Sequence, residues 1–403
     1  MLETRTGNTL SCNSPTAAKL YQDAIDLILG SESGAAEALN QALELDRDFA
    51  LAATARYCVA KDVGDPDALT YRQHAERASS RATDWEREHI SVLTGLIDQP
   101  GTTRDRALAY IASTPTDLLV ISQLTGSMFF YDGPQKKQSV LNVLESVEPS
   151  LGNDWAFLAR LGFAASEAGQ RTRGRELLER ALEIRPQSLY SIHGLAHMLH
   201  DEGAAGESAA TLQQWLKVHE AGARQGQMYG HVQWHLALAE FQMGYRDAAK
   251  QRYETYCTPE TTTCGPVLTL ADCGGFLLRD YLQSGTTSPL DDAASKHIDR
   301  VRGMIGHPFI ALHVAGLYAT AGDTDGLNRC REAITATPAG TNRDIGLALV
   351  SSLLDFVCGN YQASAETLAA LSARARIGIG GSNVERELVD LIEASARSRA
   401  GIH

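Results

Sequence analysis

The segment from Trp155 to Pro186 constrains the fold more than any other part of this 403-residue chain. It alternates small residues with large apolar residues at helical spacing and ends on a proline. Small residues let two antiparallel helices approach closely, large apolar residues fill the space between them, and a proline cannot continue a helix. The spacing therefore predicts two short antiparallel helices joined by a glycine turn. The positions that carry it are Leu161, Gly162, Gly169, Gly174, Leu178, Ala181 and Pro186.

Counted from Trp155 in a frame of about 34 residues, this spacing is the tetratricopeptide pattern. Weaker copies flank it, and the clearest repeats lie within 155–257. We therefore predict an all-α, tetratricopeptide-type helical-pair solenoid of about six to nine pairs, curled around a concave groove. It should form one continuous domain over 1–403, with a flexible N-terminus at 1–13. Residues 305–396 should hold the C-terminal repeats and a capping helix whose N-cap is Ser382 or Asn383.

Composition and charge limit the classes of partner that this chain can bind. The chain has 49 acidic and 36 basic residues and a net charge of −13. Phosphate contacts need clustered Lys and Arg, so we predict no nucleic-acid partner, and an acidic membrane surface would repel this chain. The start has no apolar signal segment, and the seven cysteines have no CxxC spacing. These features predict a cytoplasmic protein whose cysteines are mostly buried thiols.

Histidines are concentrated in one part of the chain. Six of the twelve lie between residues 193 and 235. His193, His197 and His200 are spaced i, i+4 and i+7, which places them on one helical stripe, and His231 and His235 are again four apart. In the repeat frame these residues fall on the first helices of two adjacent pairs, at positions that face the groove. We therefore expect His193, His197, His231 and His235 to converge, with His200 one turn further along.

Three interpretations of this histidine group stay open. Two i, i+4 pairs could complete a site for a divalent transition metal, which is the candidate cofactor. The same imidazoles could act as general acids and bases or bind an anionic ligand, because their pKa lies near neutrality. They could also form a hydrogen-bonded structural network. The candidate catalytic residues are His193, His197, His235 and Asp272, and the candidate metal ligands are His193, His197, His231 and His235.

Other polar residues could reach the same groove. Asp272 and Arg279 share a face of a predicted helix over 268–282, since they are seven residues apart. Asp272 would orient an imidazole or ligate a metal, and Arg279 would hold an anionic group. His313 lies on a predicted helix over 309–321. The predicted ligand-binding residues are His200, Trp234, Arg279 and His313; Glu86 and His89, on a predicted helix over 85–97, are weaker candidates.

The chain resembles the tetratricopeptide repeat protein 38 family. The matching elements are an HxxxH helix around His193 and His197 and an H-x-x-W-H-L-A-L helix that begins at His231. Weaker matches cover the surroundings of Asp272, His313 and the turn over 380–383. The sequence departs from the family at His200, where an acidic residue is usual, and at Glu385, where an amide is usual. The resemblance implies a fold and a set of polar residues, and it implies no particular reaction.

Two classes of function follow from these observations. The first is a binding protein that holds a small molecule or a peptide in a groove lined by histidines. The alternative is an enzyme, with or without a metal, that uses His193, His197, His231 and His235 for ligation or acid–base catalysis. Fold alone does not choose between them. No nucleophile–base pair is identifiable in the sequence, which favours binding.

Overall fold

The structure is a computed structural model that describes residues 2–4, 6–131 and 135–402. The side chains of Leu2 and Tyr131 are not among those described. Helices dominate these residues, and their strands are limited to one antiparallel pair in which Leu2 and Glu3 face Leu10 and Thr9. The all-α prediction is therefore confirmed. Within the described ranges, no helix has the length and apolar character needed to cross a membrane.

Two compact units divide the chain. Unit 1 holds residues 1–128, 137–198 and 211–232, and unit 2 holds 129–136, 199–210 and 233–403. Helices α7, α8, α11, α12 and α13 contain residues of both units. From the N-terminus the elements are β1 Leu2–Glu3, β2 Thr9–Leu10, α1 Pro15–Leu29, α2 Ala35–Leu45, α3 Ala50–Val63, α4 Ala68–Ala78, α5 Asp84–Asp98, α6 Pro100–Ser113, α7 Leu118–Tyr131, α8 Lys136–Leu151, α9 Trp155–Glu167, α10 Arg171–Ile184, α11 Leu189–Asp201, α12 Ala205–Ala223 and α13 Tyr229–Gln242.

Nine further helices complete the chain, and 3-10 turns follow α4 and α16 at Ser79–Arg81 and Arg302–Met304. The helices are α14 Arg246–Tyr256, α15 Pro266–Ser284, α16 Asp292–Val301, α17 Pro308–Ala321, α18 Thr324–Thr335, α19 Thr341–Val357, α20 Tyr361–Ala369, α21 Ala373–Gly378 and α22 Asn383–Ala400. The described residues thus contain 22 α-helices, which is more than the predicted six to nine helix pairs would contain.

The clearest predicted repeat is the helix pair α9 and α10. Gly162 and Gly174 lie where the two backbones cross. A Cβ added to Gly174 would stand 2.9 Å from the Gly162 carbonyl oxygen, and one added to Gly162 would stand 3.0 Å from the Gly174 carbonyl oxygen. Neither position has room for a side chain, because the neighbouring atoms include backbone that cannot turn away.

We expect Gly174→Ala to lower the free energy of unfolding by about 1–3 kcal/mol, because the added methyl group would push α9 and α10 apart. Urea denaturation of the variant beside the parent measures this. Gly126→Ala is the matched control. Gly126 lies inside α7 with open space around it, so alanine there should raise the free energy of unfolding by about 0.5–1 kcal/mol. Equal effects of the two substitutions would contradict the close crossing.

In unit 1, the turn between the first two helices is hydrogen-bonded to residues near the end of the unit. The Gly30 carbonyl accepts from the Tyr190 backbone N–H, and the Ser31 carbonyl accepts from that of Gln227, each at 3.0 Å. The Arg160 guanidinium donates to the Leu29 carbonyl. Repeats in an open array contact only their neighbours. Unit 1 departs from that rule, because the turn after α1 touches α11 and the segment before α13.

The terminal helix of unit 2 begins as the sequence predicts. Ser382 is the N-cap of α22, and Ser382 and Glu385 form a reciprocal capping box. Gly381 before it has φ +68°, and a Cβ there would stand 2.4 Å from the Phe309 ring. This close approach fixes the turn against α17. This turn therefore positions Glu385 and the residues that follow it.

The predicted flexible segment 1–13 includes the paired strands β1 and β2, and Leu10 and Cys12 are buried. Met1 and Arg5 lie outside the described residues. Flexibility of this segment stays a prediction, as does a single domain over 1–403. All seven cysteines are free thiols, and five of them are buried.

Candidate functional site

Helix α11 brings two of the predicted histidines into direct contact. The Nε2 atoms of His193 and His197 are 2.7 Å apart. Their ring centroids are 4.4 Å apart and the ring planes are almost perpendicular. The contact follows from the i, i+4 spacing, which stacks the two side chains on one helix face. At 2.7 Å one nitrogen must donate a proton to the other, so the pair cannot be protonated at both facing atoms.

Helix α13 supplies the other pair. The His231 ring lies 4.8 Å from the His193 ring and 6.1 Å from the His197 ring. His235 stands one turn after His231, and the continuity of α13 fixes its position relative to His231. Each of the four imidazoles offers a nitrogen within 4.8 Å of the nitrogens of the other three. The four nitrogens therefore lie close together, and what they bind stays a prediction.

All four imidazoles are buried, with exposed fractions between 1% and 7%. The sequence prediction placed them on the surface of a groove, whereas the structure places them in the interior. Burial lowers the pKa of His193 well below its usual value, and the neighbouring His197 and His231 lower it further. The lowered pKa of His193 favours the neutral imidazole at neutral pH, which is the form that binds metals.

Phe163 forms part of the wall around this group, and the sequence analysis did not select it. Its ring lies 5.1 Å from the ring of His197 and 5.7 Å from that of His193. In the repeat frame Phe163 occupies position 9 of its helix pair, which is the position of His197 in the next pair. Applying the frame to the preceding repeat would have identified it. A phenyl ring there shields the imidazoles from water.

His200 does not join the four histidines. Its Nε2 lies 3.1 Å from a carboxylate oxygen of Glu387 on α22, and Arg279 donates to the same carboxylate at 3.1 Å. Arg279 also donates to the carbonyls of Val384 and Gly275. The sequence predicted that Arg279 would hold an anionic group. In the structure that group is the carboxylate of Glu387, which belongs to the same chain. The centroid of the Trp234 ring lies 5.9 Å from the central carbon of the Arg279 guanidinium.

Asp272 and His313 are also buried in unit 2, with exposed fractions of 0% and 1%. The Phe309 carbonyl lies 2.8 Å from His313 Nδ1 and accepts its proton. The other ring nitrogen, Nε2, makes no hydrogen bond to any residue within the described ranges. Burial lowers the pKa of His313. A Cβ on Gly274 would meet the His313 carbonyl at 2.7 Å, so α15 and α17 cross closely there.

No protein-family model matches the sequence. Among solved structures, the human IFIT1 dimer with m7Gppp-AAAA shares 14% identity at a TM-score of 0.45, covering 89% of each chain. Yeast Tom70 shares 14% identity at a TM-score of 0.33, covering 95% of this chain and 84% of its own. The P58(IPK) TPR domain gives 12% identity and a TM-score of 0.23. All these TM-scores lie below 0.5, so the assignment of the fold rests on the helices themselves.

Proposed function

We propose that this protein binds one divalent transition-metal ion through His193, His197, His231 and His235, and that its function depends on this ion. The observation that carries the proposal is the convergence of four buried imidazole nitrogens within 4.8 Å. Two helices each contribute an i, i+4 pair. The resemblance to the tetratricopeptide repeat protein 38 family belongs to the same proposal, because the two helices that carry the resemblance hold these four residues.

The spacing of the nitrogens suits a tetrahedral ion. Zinc takes imidazole nitrogens at about 2.0–2.1 Å, which places the nitrogens roughly 3.4 Å from one another. The facing Nε2 atoms of His193 and His197 are 2.7 Å apart, and each of the four residues offers a nitrogen within 4.8 Å of the others. For both Nε2 atoms to bind one ion, the two rings must move apart and the proton between them must move to Nδ1. Imidazole ligands without a carboxylate favour zinc, copper, iron or nickel over magnesium and calcium.

Burial supports an ion rather than a peptide as the direct ligand. A peptide needs exposed side chains along a groove, whereas these imidazoles are at most 7% exposed. Metal ligation also requires neutral imidazole, and the lowered pKa of His193 satisfies that requirement at neutral pH. We therefore propose a metal ion as what these imidazoles bind directly, in place of the small molecule or peptide predicted from the sequence. A small molecule would bind to that ion.

The test is the metal content of protein purified without a histidine tag. We expect the parent chain to bind about one equivalent of zinc or cobalt, measured by elemental analysis after gel filtration. Cobalt in the site should give the visible absorption of a tetrahedral centre. His197→Ala and His235→Ala should each lose the metal, because each removes one of the four ligands.

His219→Ala serves as the control, since His219 lies on α12 and packs on Trp215 instead of the other histidines. It should bind metal as the parent does. A parent chain that stays free of metal after incubation with zinc and with cobalt would refute the proposal. The same holds if His197→Ala and His235→Ala retain full occupancy.

A further inference from the structure

Unit 2 contains a cavity of about 110 Å³ between α16, α17, α18 and the 3-10 turn after α16. None of the four histidines of α11 and α13 borders it. Its walls are side chains that are at most 9% exposed, and most of them are apolar: Ile298, Ile305, Val314, Tyr318 and Cys330. Two arginines, Arg302 and Arg329, border the same cavity.

The size of the cavity limits what it can hold. An apolar cavity of about 150 Å³ binds benzene, which has six carbons, so a cavity of about 110 Å³ has room for about four carbons. The side chains of Arg302 and Arg329 are 66% and 61% exposed, so these two residues stand where the cavity meets solvent. A ligand that fits therefore has a short apolar tail inside and a polar head at the arginines.

The two arginines have hydrogen-bond donors to offer such a head. Arg302 pairs with Asp299, and Arg329 lies 3.5 Å from Asp323. Both pairs are exposed and therefore weak, and a guanidinium has five N–H donors, so one aspartate leaves donors for another carboxylate. Of the residues that the structure describes, the two arginines border the cavity and the two aspartates do not.

Both positive charges act on the same part of the cavity wall. Burial raises the pKa of Cys330 to about 12, although Arg329 and Arg302 act in the opposite direction. The Cys330 thiol is therefore uncharged at neutral pH and suits an apolar tail. The central carbon of the Arg329 guanidinium lies 5.8 Å from the centroid of the Tyr318 ring, which places this charge beside another wall residue.

We propose that this cavity binds a small branched aliphatic monocarboxylate, with its tail between the apolar walls and its carboxylate held by Arg302 and Arg329. A carboxylate is the group that a guanidinium binds best, because two parallel N–H groups match its two oxygens. The site uses other helices than the four-histidine group and needs no metal. Neither proposal fails if the other does.

Three probes test the site by methyl NMR of the metal-free chain at neutral pH. They are isovalerate, which has a four-carbon tail, isovaleramide, which has the same shape without the charge, and acetate, which has the charge without the tail. Isovalerate should shift the methyl signals of Ile298, Ile305 and Val314, with a dissociation constant in the millimolar range because the ligand has only about seven non-hydrogen atoms.

The probes should also differ in affinity. We expect isovalerate to bind about five- to tenfold more tightly than isovaleramide, the effect of two partly exposed guanidinium groups. It should bind at least tenfold more tightly than acetate, because each buried methylene contributes about fourfold. The proposal is overturned if isovalerate leaves these methyl signals unshifted, or if either of the other probes binds as tightly.

The double variant Arg302→Gln, Arg329→Gln should bind isovalerate and isovaleramide equally, since both charges are lost. Because both side chains are exposed, the variant should fold as the parent does, and its methyl spectrum checks this. Arg331→Gln is the matched control. Arg331 lies on α18 two residues after Arg329, donates to Asn328 and does not border the cavity.

Arg331→Gln should keep the parent's preference for isovalerate over isovaleramide. A preference that persists in the double variant would contradict the assignment of the two arginines. A preference lost equally in Arg331→Gln would contradict it as well, because it would come from the general charge of the surface.

Discussion

Arg279→Ala is expected to lower the free energy of unfolding by about 2–3 kcal/mol, since it removes a buried guanidinium that donates to two carbonyls and to the carboxylate of Glu387. Arg279 is only 5% exposed and donates to the carbonyls of Gly275 and Val384 as well as to Glu387. Removing the guanidinium leaves these acceptors without their donor and opens a void beside Trp234. Urea denaturation at neutral pH, followed by far-ultraviolet circular dichroism, measures the loss.

Arg106→Ala provides the comparison. Arg106 pairs with Glu88 at 2.9 Å, but both side chains are about half exposed, so its loss should cost at most about 1 kcal/mol. Equal losses in the two variants would show that the Arg279 network adds nothing beyond a surface pair.

The same network predicts an acid dependence. Burial alone would raise the pKa of Glu387, but His200 and Arg279 lower it to about 2. A carboxyl group with a lowered folded-state pKa stabilises the fold above its unfolded pKa of about 4.3, and that contribution disappears as the pH falls toward the folded value. The stability of Arg279→Ala should therefore depend less steeply on pH between about 4.3 and 2 than that of the parent.

Zinc is expected to raise the free energy of unfolding of the parent chain by about 4 kcal/mol at a free concentration one thousand times the dissociation constant. An ion held by four side chains stabilises only the folded state that brings them together. In His197→Ala at the same zinc concentration, this gain should be nearly absent. Urea denaturation with buffered zinc, and with a chelator in its place, measures both.

The stability of the parent and of His197→Ala without metal distinguishes a metal site from a structural network. If the histidines served only to pack helices, His197→Ala would lose about 1–3 kcal/mol without metal, because partners would be left unpaired around a void. In a site held for ligation, the metal-free variant should be as stable as the metal-free parent. A large loss combined with no zinc effect in the parent would favour the structural network.

Local sequence patterns predicted the helices and the histidine group. The terminal helix begins at Asn383 with Ser382 as its cap, because a serine followed three residues later by a glutamate satisfies the first free N–H groups. The contact of His193 with His197 follows from one turn of a single helix. The approach of His231 to His193 required only the register of two adjacent repeats. Each of these inferences depends on residues that are close in sequence or in the repeat frame.

The parts of the site that the sequence did not predict depend on distant contacts. Glu387 reaches His200 across 187 positions of the chain, and no repeat register relates the two. Asp117, which directly precedes α7, has a carboxylate oxygen 2.6 Å from Nδ1 of His89 on α5. The burial of the four imidazoles also escaped prediction, since the repeat frame gives the direction of a side chain but not what covers it. Such contacts are set by how far successive repeats curl.

The closure of unit 1 has a consequence for how it unfolds. An array whose repeats contact only their neighbours can fray from either end, and its stability is close to a sum of local terms. In unit 1 the turn at Gly30 and Ser31 is bonded to Tyr190 and Gln227, so the first repeat cannot detach without breaking contacts to the last. Its melting should therefore be cooperative, and its folding slow for a helical protein, because these contacts join residues far apart in the chain.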